Sequence, residues 1–109
     1  MAEAQAVRAT FAGMVERFAP EKAAGLSATI AFNLRGDNGG LFWIKIADGA
    51  AENGEGGVDS ADMTVHASAD DWFAVATGEL NPMQAFMTGK LKIQGDMGLA
   101  MKMQSLFSG

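Results

Sequence analysis

The sequence predicts an α+β fold in which short helices cover one face of a sheet. One segment with helical periodicity is followed by several segments that alternate between apolar and polar residues, and the rest is mostly helical again. Strands followed by helices in this order form a two-layer α+β domain. Because the chain has 109 residues, 49% of them apolar, and no long linker, residues 1–109 are expected to form a single domain.

The first segment predicts an amphipathic helix. Its apolar residues recur at spacings of four, three and four positions, which places them on one helical face: Val7, Phe11, Met14 and Phe18. Pro20 is expected to end this helix, because a proline disfavours helical geometry in the residue before it.

The next two segments predict an antiparallel hairpin. From Leu26 to Leu34, and again from Leu41 to Ala47, apolar residues alternate with period two, so each strand has one buried face. A glycine-rich segment between them supplies the turn. In the second strand, Phe42 and Ile44 share one face, and Trp43 lies on the other.

Three more segments concern the sheet. Residues Ala50 to Asp59 are poor in strong strand formers and predict either a weak edge strand or a loop. Met63 to Ala67 and Lys90 to Gln94 alternate in the manner of strands. The predicted sheet therefore has three or four strands before the later helices and one strand among them.

Capping residues mark the three later helices. Ser68 precedes Asp71 by three positions, as in a capping box, and Asn81 is followed by a proline at the first helical position. Both helices are expected to end at glycines. Asp96 is expected to cap the last helix, Met97 to Phe107.

Composition excludes several functional classes. The absence of cysteine excludes disulfides and thiolate chemistry, and 13 acidic against 8 basic residues argue against nucleic-acid binding. The sequence has no run of about 20 apolar residues that could span a membrane. It also lacks a basic leader before an apolar run and a peroxisomal or prenylation motif at its C-terminus, so a soluble cytoplasmic protein is expected.

The polar residues predict no catalytic or metal site. His66 is the sole histidine and lies in the middle of a strand, where a position on the sheet surface is favoured over a role as a ligand. Asp70 and Asp71 begin a helix and complement its dipole. The glycine-rich loops lack phosphate-binding patterns. We therefore expect no catalytic residue, no metal and no cofactor.

The most informative anomaly is an excess of methionine near the end of the chain. Five of the eight methionines fall between Met83 and Met103, and the last helix is apolar over most of its circumference. A helix inserted into the core explains this pattern in most proteins. Because methionine adapts to varied apolar partners, a lipid cavity or a dimer interface explains it too.

The same region resembles a known family. Residues 89–102 closely resemble the C-terminal signature of the sterol carrier protein 2 family, and residues 77–86 resemble its segment around an Asn-Pro pair. Glu79 stands where that family usually has lysine. Looser similarity extends upstream through residues 61–65 and 42–49. The similarity therefore covers nearly the whole chain in the expected order.

The resemblance implies a five-stranded sheet with helices on one face and an apolar tunnel between them. It implies binding and transfer of a fatty acid, fatty acyl-CoA, sterol or phospholipid without catalysis. The C-terminal helix would help to shape the tunnel. The implied partners are the lipid, a membrane in transient contact and a partner enzyme, with no nucleic acid.

Nine residues are candidates for lipid contact under this resemblance. The sheet floor, on the assumption that its Phe42 face points towards the helices, comprises Phe32, Phe42 and Ile44. The remaining six form one wall and an adaptable lid: Met83, Phe86 and Met87, then Met97, Met101 and Leu106. Each of the nine could instead be an ordinary core residue.

Three alternatives to lipid transfer remain open. An accessory module would present an apolar substrate to a partner enzyme from the same cavity. A minimal hydrolase or isomerase is disfavoured, because the chain has one histidine and no cysteine or tyrosine. A structural homodimer would use the methionine-rich face as its interface.

Overall fold

The computed structural model describes residues 4–23 and 25–107. Its helices are α1 (Ala4–Glu16), α2 (Ala69–Ala76), α3 (Pro82–Met87) and α4 (Met97–Phe107). Its strands are β1 (Ala28–Arg35), β2 (Gly40–Ala47), β3 (Ala50–Glu55), β4 (Met63–Ser68) and β5 (Leu91–Gly95). The predicted α+β class is confirmed, as is the five-stranded sheet that the resemblance implied.

The sheet is mixed, with strand order β3-β2-β1-β4-β5. The β1–β2, β2–β3 and β4–β5 pairs are antiparallel, and β1 runs parallel to β4. The predicted hairpin of β1 and β2 is thus confirmed. The segment that lacked strong strand formers is the edge strand β3, because a strand at the edge needs only one hydrogen-bonded neighbour.

Alternation places one face of the sheet under the helices. In β1 the buried residues are Ala28, Ile30, Phe32 and Leu34, and the residues between them are half-buried or exposed. In β2 it is the Phe42 face that is buried, as expected, and the ring of Phe42 stacks on Phe11 of α1 at 4.7 Å between centroids. The opposite sheet face is left without helices.

An aromatic cluster joins α1, α2 and the centre of the sheet. It consists of Phe11, Phe32, Phe42 and Trp72. Phe11 lies within 5.4 Å of the other three rings, measured between centroids, and is fully buried. Large rings in such contact bury much apolar surface, so this cluster forms the middle of the hydrophobic core.

Helix α1 ends at Glu16, earlier than the proline rule predicts. The backbone N–H of Ala19 donates a hydrogen bond to the carbonyl oxygen of Leu106 at 2.8 Å, which directs the chain away from the helical path towards α4. Pro20 instead opens a short 3₁₀ turn. Phe18 therefore lies outside the helix, although it still packs against the core.

None of the helices in the described ranges combines the length and the apolar character that crossing a bilayer requires.

Candidate functional site

A cavity of about 290 Å³ lies between the sheet and the later helices. Its floor comes from the inner faces of β1, β4 and β5, and its walls come from α2, α3 and α4. The side chains that line it are Phe32, Met63, Val65, Trp72, Val75, Pro82, Met83, Phe86, Leu91, Ile93, Met97, Ala100 and Met101. Its volume is close to the lower limit of about 300–1,000 Å³ that is typical of ligand sites.

Helix α2 places Trp72 and Val75 at the wall. The hydroxyl of Ser68 accepts a hydrogen bond from the N–H of Asp71 at 3.0 Å, which confirms the predicted cap. The indole N–H of Trp72 donates to the hydroxyl oxygen of Thr10 in α1 at 2.8 Å. The only side-chain N–H or O–H group in the cavity lining is therefore already hydrogen-bonded outside the cavity.

Helix α3 forms one side of the cavity mouth. The side chain of Asn81 accepts hydrogen bonds from the N–H groups of Met83 and Gln84, at 2.8 and 3.3 Å, and so caps the helix as expected. The buried residue of this helix is Ala85, whereas Met83 and Phe86 are exposed and also line the cavity. The apolar stripe of α3 thus covers the cavity edge instead of packing into the core.

Helix α4 uses two apolar sides for two purposes. Asp96 caps it by accepting from the N–H of Leu99 at 3.1 Å. Leu99 and Leu106 are buried in the core, whereas Met97 and Met101 line the cavity from the other side. This division explains why the helix is apolar over most of its circumference.

The structure brings five of the nine candidate residues to the cavity: Phe32, Met83, Phe86, Met97 and Met101. The other four do not line it. Phe42, Ile44 and Leu106 are buried in the core, and Met87 is 77% exposed. The three core residues lie elsewhere because β2 runs under α1, and because Leu106 is on the core side of α4.

Eight lining residues were not candidates from the sequence. Met63 and Val65 of β4, and Leu91 and Ile93 of β5, lie on the inner sheet face by the same alternation that selected Phe32. That pattern could have identified them. Trp72, Val75, Pro82 and Ala100 depend on how the helices sit over the sheet, which no periodicity specifies.

The polar candidates lie away from the cavity. His66 is on the opposite face of the sheet, half-buried, with its Nε2 3.1 Å from Oε1 of Gln94 on β5. This agrees with a position on the sheet surface. Within residues 4–23 and 25–107, no three acidic or histidine side chains come together as a metal site requires.

An α+β layer with an apolar cavity between sheet and helices defines a class of small domains that enclose apolar ligands. The model of the SCP-2 sterol transfer family matches residues 11–108. The chain belongs to this family, as the resemblance in its last third indicated. It is thus an SCP2 domain, a kind of domain that generally binds lipids.

Two curated relatives show where such domains occur. Sterol carrier protein 2 of Rattus norvegicus is 46% identical over 83 residues, which cover 62% of this chain and 15% of the relative. Hydroxysteroid dehydrogenase-like protein 2 of Bos taurus is 33% identical over 108 residues, covering 98% of this chain and 26% of the relative. The chain therefore matches only a small part of the length of either relative.

A solved structure supports the fold. The sterol carrier protein domain 2 of Helicoverpa armigera superposes with a TM-score of 0.69 at 30% identity. The superposition covers 95% of this chain and 84% of that structure. The five-stranded sheet with helices on one face is thus shared over almost the whole length.

Proposed function

We propose that this domain binds and transfers a lipid by burying its hydrocarbon chain in the cavity between the sheet and α2, α3 and α4. One observation carries the proposal. Every side chain that lines the cavity is apolar except Trp72, and the indole N–H of Trp72 is already donated to Thr10. The cavity thus offers hydrocarbon contact and no free side-chain partner for a buried polar group.

The energetics favour an extended apolar tail. Each CH₂ removed from water contributes about 0.8 kcal/mol, so affinity should rise with chain length until the cavity is full. The rim methionines, Met97 and Met101 among them, are flexible and can adapt to the shape of the tail. Of the ligands that the family resemblance implies, a single acyl chain suits a volume of about 290 Å³ better than a rigid sterol does.

The head group of the ligand would remain at the mouth. A hydroxyl or carboxylate on the cavity floor would meet only apolar side chains, and an unpaired buried polar group costs roughly 1–3 kcal/mol. The ligand would therefore enter with its tail first. A fatty acid, a fatty acyl-CoA or a phospholipid could all bind in this way, with different groups outside the cavity.

A comparison of two ligands tests this arrangement. Palmitate and its ω-hydroxy derivative would be titrated against a bound fluorescent fatty acid. The ω-hydroxyl should weaken binding by roughly 5- to 150-fold, because it would be buried without a partner. Equal affinities would show that the tail end does not reach the apolar floor, and absence of any saturable binding would refute the proposal.

Two methionine variants provide a matched control for the site. Met101 and Met87 have nearly the same exposure, 78% and 77%, but only Met101 lines the cavity. Met101→Gln should weaken fatty-acid binding, whereas Met87→Gln should leave it unchanged. Equal effects of the two changes would place the bound chain outside the cavity described above.

A second candidate function is presentation of an apolar substrate to a partner enzyme. Its support is the bovine relative, in which the matching region is about a quarter of a longer protein whose name refers to a dehydrogenase. The same cavity would then hold the substrate of an enzyme that docks beside it. A pull-down in which no enzyme is enriched above background would count against this role.

We propose that the bound lipid leaves the cavity chemically unchanged. His66 is separated from the cavity by the sheet, since Val65 and Ala67 on either side of it point inward. His66→Ala should therefore leave any turnover of bound lipid at its original level. A large loss of turnover in that variant would support an enzyme instead.

A further inference from the structure

The cavity mouth has an exposed apolar rim. It is formed by two helices, with Met83, Phe86 and Met87 on α3 and Met97 and Met101 on α4. Their exposed fractions run from 39% to 78%. These five residues, called the mouth rim below, are five of the six large apolar side chains that are exposed in residues 4–23 and 25–107. Such concentration at one place typically marks a surface that contacts another apolar body.

Charge is distributed unevenly around the mouth rim. Residues 1–79 contain five basic and twelve acidic residues, whereas residues 80–109 contain three basic residues and one acidic residue. The region that carries the mouth rim therefore has a formal charge of +2 in a chain of −5. Its lysines are Lys90 and Lys92, at the start of the edge strand β5, and Lys102, which follows Met101 in α4.

The neighbours of these lysines leave them available to an anionic surface. All three lysines are exposed. The single acidic residue of this region, Asp96, is already engaged as the cap of α4 through the N–H of Leu99. Exposed methionines beside exposed lysines match the two layers of a bilayer surface, which presents anionic head groups above apolar chains.

Other occupants fit less well. A symmetric dimer through the mouth rim would bring the lysines of one copy towards those of the other, and like charges at an interface are unfavourable. Insertion of α1 into a bilayer would require removing its apolar stripe, including Phe11 and Val7, from the core in which both are fully buried. The mouth rim needs no such rearrangement because its side chains are already exposed.

We infer that the mouth rim docks on an anionic phospholipid surface, with its methionines among the acyl chains and Lys90, Lys92 and Lys102 at the head groups. In this orientation the cavity opens directly onto the bilayer, so a lipid tail can pass between the two without crossing water. The inference goes beyond lipid binding, because docking requires the rim and the lysines but not an occupied cavity.

Sedimentation with vesicles tests docking. The whole chain would be mixed with vesicles of phosphatidylcholine alone or of phosphatidylcholine with phosphatidylserine. We expect binding to the mixed vesicles, weaker binding to the neutral ones, and a loss of binding as salt rises, because salt screens exposed charges. Equal binding to both vesicles, or binding to neither, would overturn the inference.

Two pairs of variants locate the docking surface. Met87→Glu places a charge in the mouth rim, and Leu41→Glu makes the same change at an apolar side chain of β2 that is 49% exposed. Lys90→Glu reverses a charge beside the rim, and Lys45→Glu reverses one on β2. Only the first member of each pair should weaken vesicle binding, by about fivefold for each unit of charge changed at the surface.

Fatty-acid titration separates this inference from the proposed function. Met87 does not line the cavity, so Met87→Glu should retain normal fatty-acid affinity while it loses vesicle binding. Fatty-acid binding by a wild-type chain that ignores anionic vesicles would overturn docking and leave lipid binding intact. If light scattering showed a dimer that Met87→Glu dissociates, the mouth rim would be a self-interface and the inference would be wrong.

Discussion

The two halves of the sheet are covered in different ways. Under α1, the inner face of β1 and β2 meets aromatic rings and branched side chains, and residues such as Phe11 and Ile44 are fully buried. Under α3 and α4, the inner face of β4 and β5 meets a cavity, and the covering residues include Met101, which is 78% exposed.

This difference separates stability from binding. Rigid rings and branched chains can fill a fixed volume at high density, so the first half is a closed core. Flexible methionines leave space that a ligand of variable shape can occupy, so the second half stays open. One layered architecture thus supports a stable half and an adaptable half, and Phe32 and Trp72 lie where the two halves meet.

The largest effect is expected from removing a ring of the closed core. Phe11→Ala should lower the free energy of unfolding by about 3–5 kcal/mol, because it leaves a void among three other rings. Met101→Ala, in the open half, should change it by no more than about 0.5 kcal/mol. Urea denaturation measures both values, and similar losses in the two variants would contradict the contrast between the halves.

The next effect concerns the tryptophan shared by both halves. Thr10→Val removes the acceptor of the Trp72 indole N–H and leaves that group unpaired in a part-buried position. The free energy of unfolding should fall by about 1–3 kcal/mol. Thr29→Val, on the uncovered face of β1, is the control and should have little effect, because valine suits a strand. No difference between the two variants would mean that the hydrogen bond contributes little.

A third prediction reverses the relation between stability and binding. Ala100 lines the cavity, so Ala100→Phe should fill part of it and weaken fatty-acid binding at least tenfold, or about 1.4 kcal/mol, without lowering stability. Ala12→Phe adds the same ring on the exposed side of α1 and should not affect binding. Undiminished binding in the Ala100 variant would show that ligand does not occupy this space.

The smallest effect is expected from the ion pair between α1 and the edge strand β3. Arg8 Nε lies 2.6 Å from Glu55 Oε1, and both side chains are 58% exposed. Solvent screens such pairs, so a double-mutant cycle of Arg8→Ala and Glu55→Ala should give a coupling energy below about 1 kcal/mol. A larger coupling would mean that this contact, and not the aromatic cluster alone, holds α1 on the sheet.

The sequence predicted the elements well where a local rule applies. Alternation identified the inner face of β1 and β2, and Ser68, Asn81 and Asp96 marked the starts of three helices because capping involves only neighbouring residues. The helical spacing of Phe11 likewise indicated a buried stripe. These features depend on contacts within a few positions of chain, which one sequence displays directly.

Features that depend on distant segments were harder to predict. Helix α1 ends early because of a bond from Ala19 to Leu106, and no local pattern reveals that partner. Met83 and Met87 looked equivalent on a helical face, yet only Met83 lines the cavity. Which side of a short helix meets a cavity is decided by the whole layer, so periodicity alone could not separate the two.

The order of segments along the chain also bears on how such a domain could change its ligand. Apart from Phe32, every cavity-lining residue falls within the continuous stretch from Met63 to Met101. Exchange of that one stretch between related genes would replace nearly the entire binding surface in a single event. The ring stack under α1 would be inherited almost intact, so new ligand preferences could be sampled on a scaffold that already folds.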